Sequence, residues 1–293
     1  MLPNLVIIGA QKSASTFRQA SLEECDDICF VRGECPIFED PDYASYSDDF
    51  FKKFFPSNNR APKYFGLKRP DYLSNPTLPL RLKKHLSNPL LLCVLREPVS
   101  RTVSAYYHYI RDGFIPNIDI NEGLSLIFEH GEIPEHPRSK QIIEYSLYGK
   151  HLRNYLSCFK KEDILVLRQE QIAQDPQAVL DRVSNFLSLK INLSRKVEKS
   201  RPQAVVYNHR RLDWLRLKNR FCRNYTDSYL RYIDKENPYS RFLSKSITGT
   251  DRYILRHLFG YKKPQLNAEN RHTLKRIFDE DEKILLSLGL PVV

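Results

Sequence analysis

The stretch Leu5-Val-Ile-Ile-Gly-Ala-Gln-Lys-Ser-Ala-Ser-Thr-Phe17 decides the fold of this 293-residue chain. Its first four residues, Leu5 to Ile8, lead directly into Gly9, which is the pattern of a buried parallel strand that ends in a turn. A helical pattern follows from Ser15 to about Glu24. A strand, a short loop and a helix in this order direct backbone N–H groups to one point, where they can bind a phosphate.

Two more apolar runs farther along the chain have the same strand character. Leu90–Leu95 leads into Arg96-Glu97-Pro98, whose proline suits the first turn of a helix, and a helical pattern follows from Val99 to about Arg111. Ile164–Leu167 precedes another helical pattern, from about Pro176 to Leu187. Strands that alternate with helices predict the α/β fold class, with a central parallel sheet flanked by helices.

We expect one domain over residues 1–293, because a chain of this length with 41% hydrophobic residues can bury one large core. That core should cover about residues 4–190. A basic lid and a C-terminal helical region, with an amphipathic closing helix at Leu274–Leu288, should cover about residues 191–293. The connections 36–63 and 113–138 are polar and punctuated by proline, which is typical of loops that act as substrate lids.

The formal net charge of +11 predicts an anionic partner. Segment 195–263 holds 18 Lys and Arg against 6 Asp and Glu, so the positive charge belongs to an irregular, basic and aromatic C-terminal third. The six cysteines form no CxxC pair and lack histidines at ligand spacing, so we expect no metal site. No stretch approaches the ~20 apolar residues of a membrane span, and a cytoplasmic location is the simplest expectation.

Lys12 adds a point charge to the predicted phosphate loop, and the small residues at positions 13–15 allow the backbone to approach a ligand. This lysine comes three residues after Gly9, and no Gly-Lys-Ser/Thr closes the loop, so the pattern differs from the GxxxxGK[ST] loop of nucleoside triphosphatases. A kinase of small metabolites is therefore disfavoured. Taken alone, the segment could still be an ordinary strand-to-helix turn with a surface lysine.

Two segments, Gly9–Phe17 and Leu95–Tyr106, stand in an order that resembles the PAPS-dependent sulfotransferases, particularly the heparan-sulfate-type and bacterial members. The first looks like their loop for the 5′-phosphosulfate of 3′-phosphoadenosine 5′-phosphosulfate (PAPS), and the second like their 3′-phosphate motif. This donor carries phosphate at both ends of a ribose and needs two anion sites. Arg96 offers a planar guanidinium, and Ser104, two helical turns later, offers a hydroxyl.

The resemblance implies roles for particular residues. Phe65–Tyr72 resembles the lysine-x-proline segment of heparan-sulfate-type enzymes, so Lys68 would line the active site. The likeness covers about residues 4–190, and beyond them only the basic segment 200–211 is similar, where Arg201 would close over the nucleotide. The residues that would hold the 5′ end of the donor are Gln11, Lys12, Ser13, Ala14, Ser15, Thr16 and Phe17.

Sulfuryl transfer is an in-line displacement that needs positive charge at the leaving phosphate and a base for the acceptor's proton. Glu34 follows a short possible strand, Ile28–Val31, and stands where the resemblance places the catalytic glutamate of heparan-sulfate-type enzymes. Partial burial would raise its pKa and make it a better base. That family usually has a histidine two residues later, where this chain has Pro36. Cytosolic sulfotransferases have a histidine two residues after the middle lysine, where this chain has Pro70. His108 and His151, both in helical patterns, are the alternative bases.

Two of these residues also have an ordinary interpretation as surface charges. Arg96 could form a salt bridge with Glu97 or Asp71, and Glu34 could be an exposed carboxylate paired with Arg32.

The resemblance leaves the acceptor open, as a hydroxyl or amine of a small molecule or a saccharide. The acidic, aromatic stretch Glu39–Phe55 could attract a cationic acceptor, whereas the basic C-terminal third could hold an anionic sugar polymer. We expect a cytoplasmic small molecule. A nucleic-acid-binding protein is the competing interpretation, but no RRM, KH or zinc-finger pattern supports it, so we expect no nucleic acid partner. Its aromatic residues would be Tyr207, Trp214, Phe221, Tyr225, Tyr229 and Tyr232.

Overall fold

The computed structural model describes residues 2–13, 22–55, 62–191, 205–226, 231–260 and 262–291. The chain divides into two units. The sheet unit contains residues 1–101, 147–202 and 278–293, and the helical unit contains residues 102–146 and 203–277. The single-domain boundary over residues 1–293 stays a prediction.

In the described residues of the sheet unit, five strands form a parallel sheet. Its strands are β1 (Leu5–Gly9), β2 (Ile28–Phe30), β3 (Tyr64–Lys68), β4 (Leu90–Leu95) and β5 (Ile164–Arg168). Their order across the sheet is β2-β3-β1-β4-β5, and every neighbouring pair is parallel. The predicted fold class, α/β with a central parallel sheet flanked by helices, is confirmed.

The helices of the described residues follow in chain order. They are α1 (Asp48–Phe54), α2 (Leu78–His85), α3 (Pro98–Asp112), α4 (Ile120–His130), α5 (Gln141–Glu144), α6 (Tyr148–Leu156), α7 (Gln169–Gln174), α8 (Pro176–Leu187), α9 (His209–Cys222), α10 (Pro238–Thr250), α11 (Arg256–Leu258) and α12 (Ala268–Ser287). Helix α8 has its predicted bounds, and α3 is one residue longer at each end than predicted. None of the helices in the described residues is both long enough and apolar enough to cross a membrane.

Strand β1 is covered on both faces of the sheet. Successive residues of a strand point to opposite sides, so Val6 and Ile8 enter one core, which includes residues of α6, while Leu5 and Ile7 enter the other, which includes residues of α8. All four side chains are fully buried. Two covered faces require an apolar residue at each position, which is why this strand appears in the sequence as an uninterrupted apolar run.

The structure adds β3 to the strands that the sequence predicts. Gly66, at its centre, pairs with Leu5 of β1 on one side and with Phe30 of β2 on the other. A Cβ atom at Gly66 would lie 2.5 Å from the ring of Phe30, so only glycine leaves room for that ring. Because glycine is unfavourable inside a strand, the local sequence does not predict β3.

The connection between β2 and β3 is not the polar loop that the sequence predicts. It contains a 3₁₀ turn at Asp42–Ser45 and helix α1, and its residues Phe38, Phe51 and Phe55 are buried in the core of the sheet unit. The rings of Phe38 and Phe51 stack with centroids 5.1 Å apart. In the helical unit, the connection 113–138 contains α4 in the same way.

The basic C-terminal segment is mostly helical between residues 209 and 258, so the prediction of an irregular segment is wrong there. It contains α9, α10, a π turn at Asp251–Leu255 and α11, and a short antiparallel pair of strands, β6 (Arg223–Tyr225) and β7 (Tyr232–Asp234). Arg211 of α9 donates to both carboxylate oxygens of Asp251 at 2.8 and 2.9 Å. Buried ion pairs of this kind replace apolar contacts and so weaken the apolar periodicity of α9.

The closing helix, predicted at Leu274–Leu288, is α12 at Ala268–Ser287. Within the sheet unit, the Asp281 carboxylate accepts hydrogen bonds from the backbone N–H groups of Gly149 and Lys150 at 2.7 and 2.9 Å. It thereby caps the first turn of α6, whose own N-cap residue, Leu147, has no side-chain oxygen. The C-terminal helix is thus joined to the core of the sheet unit by hydrogen bonds as well as by apolar packing.

Gly9→Ala should destabilise the protein, because a Cβ atom at Gly9 would lie 2.7 Å from Leu73 Cβ and 3.1 Å from the Pro70 carbonyl oxygen. We expect a loss of about 1–3 kcal/mol in the free energy of unfolding, measured by urea denaturation. The matched control is Gly249→Ala in α10, where a Cβ would meet nothing within 4 Å. The control should be neutral or stabilising, and equal effects of the two substitutions would contradict the packing argument.

Candidate functional site

The loop after β1 begins at the carboxyl edge of the sheet. Ala10 N–H donates to the Val94 carbonyl at 2.7 Å, which continues the pairing with β4 beyond the end of β1, and Ser13 N–H donates to the Ala10 carbonyl at 3.3 Å. Between them, Lys12 has a left-handed backbone with φ of 68°. Non-glycine residues adopt this conformation rarely and often at functional sites. Ala14, Ser15, Thr16 and Phe17 lie outside the described residues.

Two buried hydroxyl groups lie close to this loop. Ser13 is fully buried and Tyr148, at the start of α6, is 2% exposed, and neither side-chain oxygen has a hydrogen-bond partner among the described residues. Burial raises the pKa of Tyr148 to about 12, and the charge of Arg101 offsets part of that rise. Buried hydroxyl groups are normally paired, so this pair fits a site that receives a polar ligand.

Arg101 joins helix α3 to the loop. Its side chain is fully buried, Nε donates to the Gln11 carbonyl at 3.3 Å, and Nη2 donates to Gln11 Oε1 at 3.0 Å. The sequence prediction places Arg101 on the helix but gives it no role in the site. Its place in the 3′-phosphate motif, five residues after Arg96, is the signal that could have identified it.

Arg96 follows β4 and donates from Nη1 to the Lys12 carbonyl at 3.2 Å. Its predicted alternative, a salt bridge with Glu97 or Asp71, is wrong for the described residues, where Arg96 makes neither contact. Glu97 instead accepts from the N–H groups of Val99 and Ser100 at 2.9 and 2.7 Å and caps α3. The Arg96 guanidinium therefore stays beside the loop.

Ser104 lies in the part of α3 that belongs to the helical unit, eight residues after Arg96. It is fully buried, and its hydroxyl oxygen has no hydrogen-bond partner among the described residues. An unpaired hydroxyl at this position suits the role that the sequence gives it. Arg201, the other residue expected at the nucleotide, lies outside the described residues.

Lys68 ends β3 at the same carboxyl edge and is 4% exposed. Burial lowers its pKa, and the charges of Glu34 and Glu23 offset part of that shift. Its carbonyl accepts a hydrogen bond from the N–H of Cys35 at 3.1 Å, which holds the loop after β2 against the end of β3. Lys68 and Glu34 are thereby brought to one place although they are far apart in the sequence.

Glu34 pairs with Arg69, and not with Arg32 as its alternative interpretation predicts. Arg69 Nη1 donates to Glu34 Oε2 at 2.8 Å, and the Glu34 side chain remains 44% exposed. It follows Gly33, whose φ of 82° turns the chain in a way that glycine permits. A carboxylate that is half exposed beside a buried lysine can meet an acceptor from solvent.

Arg69 is a functional candidate that the sequence prediction misses, although it stands inside the quoted segment Phe65–Tyr72. Nε and Nη2 donate to the two oxygens of Glu39 at 2.6 and 2.9 Å, and Nη2 lies 3.2 Å from Asp71 Oδ2. Burial alone would lower the pKa of Arg69, but Asp71, Glu39 and Glu34 more than offset this and hold it above its ordinary value. Asp71 also accepts from Gln11 Nε2 at 3.0 Å.

The alternative bases have other environments. His108, in the helical unit, lies 2.7 Å from Arg111 through Nδ1 and 3.4 Å from Asp112 through Nε2. Burial alone would raise the pKa of Asp112, but His108, Arg111 and Arg223 hold it below its usual range. His108 therefore belongs to an internal charge cluster. His151 lies half-buried in α6. The described residues contain no group of three or more His, Cys, Asp or Glu arranged to hold a metal ion.

The model of the sulfotransferase domain family matches residues 2–284. The chain belongs to this family. The resemblance of the phosphate loop and the Arg96–Ser104 segment to sulfotransferases is confirmed at that level, and the predicted class, a sulfotransferase enzyme, is confirmed with it.

The curated relatives include heparan sulfate sulfotransferases. The chain is 28% identical over 189 residues to mouse heparan sulfate glucosamine 3-O-sulfotransferase 3B1, which covers 64% of this chain and 47% of the relative. It is 25% identical over 197 residues to the bifunctional heparan sulfate N-deacetylase/N-sulfotransferase 1 of Xenopus laevis, with coverage of 64% and 22%. The chain thus spans less than half the length of these two relatives.

Solved sulfotransferase structures share the fold. A sulfotransferase from Alicyclobacillus acidocaldarius aligns with a TM-score of 0.55 and 23% identity, and covers 69% of this chain and 87% of its own. A mouse sulfotransferase in complex with PAP, 3′-phosphoadenosine 5′-phosphate, aligns with a TM-score of 0.50 and 16% identity over 96% and 85% of the two chains.

Ser13→Ala should separate ligand binding from folding. The substitution removes a buried hydroxyl without a partner among the described residues, so the melting temperature without ligand should stay unchanged or rise. The increase in melting temperature caused by PAP should become smaller, which a thermal-shift titration measures.

Ser139→Ala is the matched control, because the buried Ser139 hydroxyl accepts from Ile133 N–H at 2.7 Å. The control should lose about 1 kcal/mol of stability and keep the full PAP effect. A Ser13→Ala variant that is destabilised but still responds fully to PAP would contradict a ligand role for Ser13.

Proposed function

We propose that the protein transfers the sulfuryl group of PAPS to a hydroxyl or amine of a saccharide or small-molecule acceptor. The observation that carries this proposal is the buried hydroxyl of Ser13 in the loop after β1, which has no hydrogen-bond partner among the described residues. Ser13 follows Lys12, whose carbonyl accepts a hydrogen bond from the guanidinium of Arg96. A hydroxyl and a nearby arginine at the carboxyl edge of a parallel sheet form an environment for a phosphate group.

At the 5′ end of the donor, Lys12 would contact the leaving phosphate and the bridging oxygen, where negative charge grows as the S–O bond breaks. Ser13, Ser15 and Thr16 would complete that cradle with hydroxyl and N–H groups. Gln11 would orient the loop, because Arg101 holds both its carbonyl and its side chain. The loop would thus be shaped before the donor binds, which lowers the cost of ordering it.

At the 3′ end, Arg96 would bind the phosphate with its planar guanidinium and Ser104 with its hydroxyl. The unpaired state of the Ser104 oxygen among the described residues supports this assignment. Arg201 would add charge where the basic segment closes over the nucleotide.

At the acceptor end, Lys68 would stabilise negative charge on the sulfuryl group during its transfer. Glu34 would take the proton of the acceptor as the acceptor's oxygen or nitrogen attacks sulfur. The half-exposed position of Glu34 beside the buried Lys68 supports this division of roles.

The names of the relatives and the charge of the chain support an anionic saccharide as the acceptor. Both curated relatives are named for heparan sulfate, and one of them for its glucosamine. The net charge of +11 has the sign that suits an anionic saccharide. A cationic acceptor is less well supported, because Glu39 and Asp40 of the acidic stretch already pair with Arg69 and Arg81. Nucleic acid binding is not favoured either, since Trp214 of the proposed aromatic set donates to the Ile247 carbonyl inside the helical unit.

Lys12→Ala and Arg96→Ala should each weaken PAP binding by about tenfold to a hundredfold, because each removes a charged partner of a phosphate. A thermal-shift titration with PAP measures the effect. Lys245→Ala, at an exposed position of α10, is the charge-matched control and should leave the affinity unchanged. A wild-type protein that millimolar PAP does not stabilise would overturn the proposed donor.

Glu34→Gln should keep PAP binding and lower kcat by about a hundredfold or more, because the amide cannot accept the proton. Transfer is measured with labelled PAPS and a panel of acceptors that includes a heparan sulfate oligosaccharide and 4-nitrophenol. Retained turnover in this variant would remove Glu34 as the base and leave the donor assignment intact.

A further inference from the structure

A continuous set of hydrogen bonds and ion pairs runs through the sheet unit from the phosphate loop to Glu34. Arg101 holds Gln11, Gln11 donates to Asp71, Asp71 pairs with Arg69, and Arg69 donates to Glu34. Each step is between 2.8 and 3.2 Å long. The two ends of this set are the donor loop and the proposed base.

Arg69 is the branching point of this set. Its four contacts with three carboxylates use geometry that a planar guanidinium provides: two parallel bonds to Glu39, one bond from Nη1 to Glu34, and the approach of Nη2 to Asp71. A lysine ammonium is a single point charge and cannot hold these three carboxylates in the same arrangement. The Arg69 side chain is 20% exposed, and the side chains of its partners Glu39 and Asp71 are 11% and 14% exposed. These two mostly buried carboxylates hold the guanidinium inside the protein.

Glu34 depends on Arg69 more than the other two acids do. Its carboxylate is 44% exposed, it follows the glycine turn at Gly33, and Arg69 is the one hydrogen-bond partner of this carboxylate among the described residues. A single exposed ion pair is weak because both side chains must be ordered to form it. Here Glu39 and Asp71 already order the Arg69 side chain, so formation of this ion pair costs only the conformational entropy of the Glu34 side chain.

We propose that Arg69 is a positioning residue that holds the Glu34 carboxylate beside Lys68, and that Asp71 and Gln11 tie it to the donor loop. This role rests on the proposed function, in which Glu34 takes the proton of the acceptor. Arg69 keeps Glu34 in one orientation relative to the sulfuryl group. A loosely held carboxylate would spend less time in line with the acceptor, and turnover would fall although the donor still binds.

The test compares Arg69→Gln and Arg69→Lys with wild type in PAPS turnover and in PAP binding. Arg69→Gln should lower kcat by about tenfold to a hundredfold, with the PAP-induced thermal shift and the KM for PAPS close to wild type. Arg69→Lys keeps the charge, and so should fold if Arg69→Gln does not, and should recover part of kcat. Arg81→Gln, which breaks the Asp40 pair at 2.7 Å, is the matched control and should keep kcat.

Combination with Glu34→Gln distinguishes positioning from general structural support. If Arg69 acts through Glu34, Arg69→Gln should have no further effect on kcat in the Glu34→Gln background. The proposal would be overturned if the effects of Arg69→Gln and Glu34→Gln on kcat multiply in the double variant. It would also be overturned if kcat is unchanged in Arg69→Gln, or if a loss of PAP binding accounts for the lost turnover. If neither Arg69 variant folds, Asp71→Asn replaces them in the test. Asp71→Asn must then lower kcat in the wild-type background and have no further effect in the Glu34→Gln background, and an unchanged kcat overturns the proposal.

The wild-type protein provides the reference for the proposed function. Stabilisation by PAP together with sulfuryl transfer to one acceptor of the panel supports that function whatever the Arg69 variants do. Absence of both in the wild-type protein would overturn the proposed function and the Arg69 role with it. An active wild type whose Glu34→Gln variant is equally active would remove the role of Arg69 while leaving the sulfotransferase reaction in place.

Discussion

The parallel pairing of β1 with β3 and β4 is the constraint on which the site depends. In a parallel sheet the carboxyl ends of all strands lie at one edge, and ligands of open α/β folds bind there. The loop residues Gln11 to Ser13 follow β1, Lys68 ends β3, and Arg96 follows β4. Residues that are up to 85 positions apart in the chain therefore meet, and each strand adds one group to a common surface.

Charge at this edge is arranged around arginines that have different tasks. Arg101 is fully buried and shapes the loop through Gln11, whereas Arg96 lies beside the loop and contacts only a backbone carbonyl among the described residues. Arg69 is surrounded by three carboxylates, which raise its pKa although burial opposes this. Arg69, which is engaged with acids, and Arg101, which is engaged with Gln11, organise the site, whereas the guanidinium of Arg96 can bind an anion.

The helical unit explains why the basic character of the C-terminal third is a poor guide to partners. Several of its cations are engaged internally: Arg211 pairs with Asp251, and Arg223 pairs with Asp112 and Asp234. Its aromatic residues are also used for packing, since Tyr225 donates to the Asp112 carbonyl and stands at a T-shaped angle to Phe114. A count of basic residues in the sequence includes these paired cations and so overstates the number of cations that a ligand would meet.

The sequence by itself determined the fold class and the position of the loop after β1. Strand β1 and its loop are local features, because burial on both faces leaves an uninterrupted apolar run and the turn follows at once. The family motif around Arg96 and Ser104 is local in the same sense. Lys68 and Glu34 came from resemblance, and their meeting could not be derived from spacing.

Only the tertiary structure decided which partners these residues have. Strand β3 escaped prediction because Gly66, required by the ring of Phe30, interrupts its pattern. The role of Arg69 was not predicted because its three carboxylate partners come from separate places in the chain. The sequence suggested Arg32, two residues away, as the partner of Glu34. Local periodicity reports which side of a strand or helix is buried, whereas ion pairs across a parallel sheet depend on the order of its strands, which no local pattern contains.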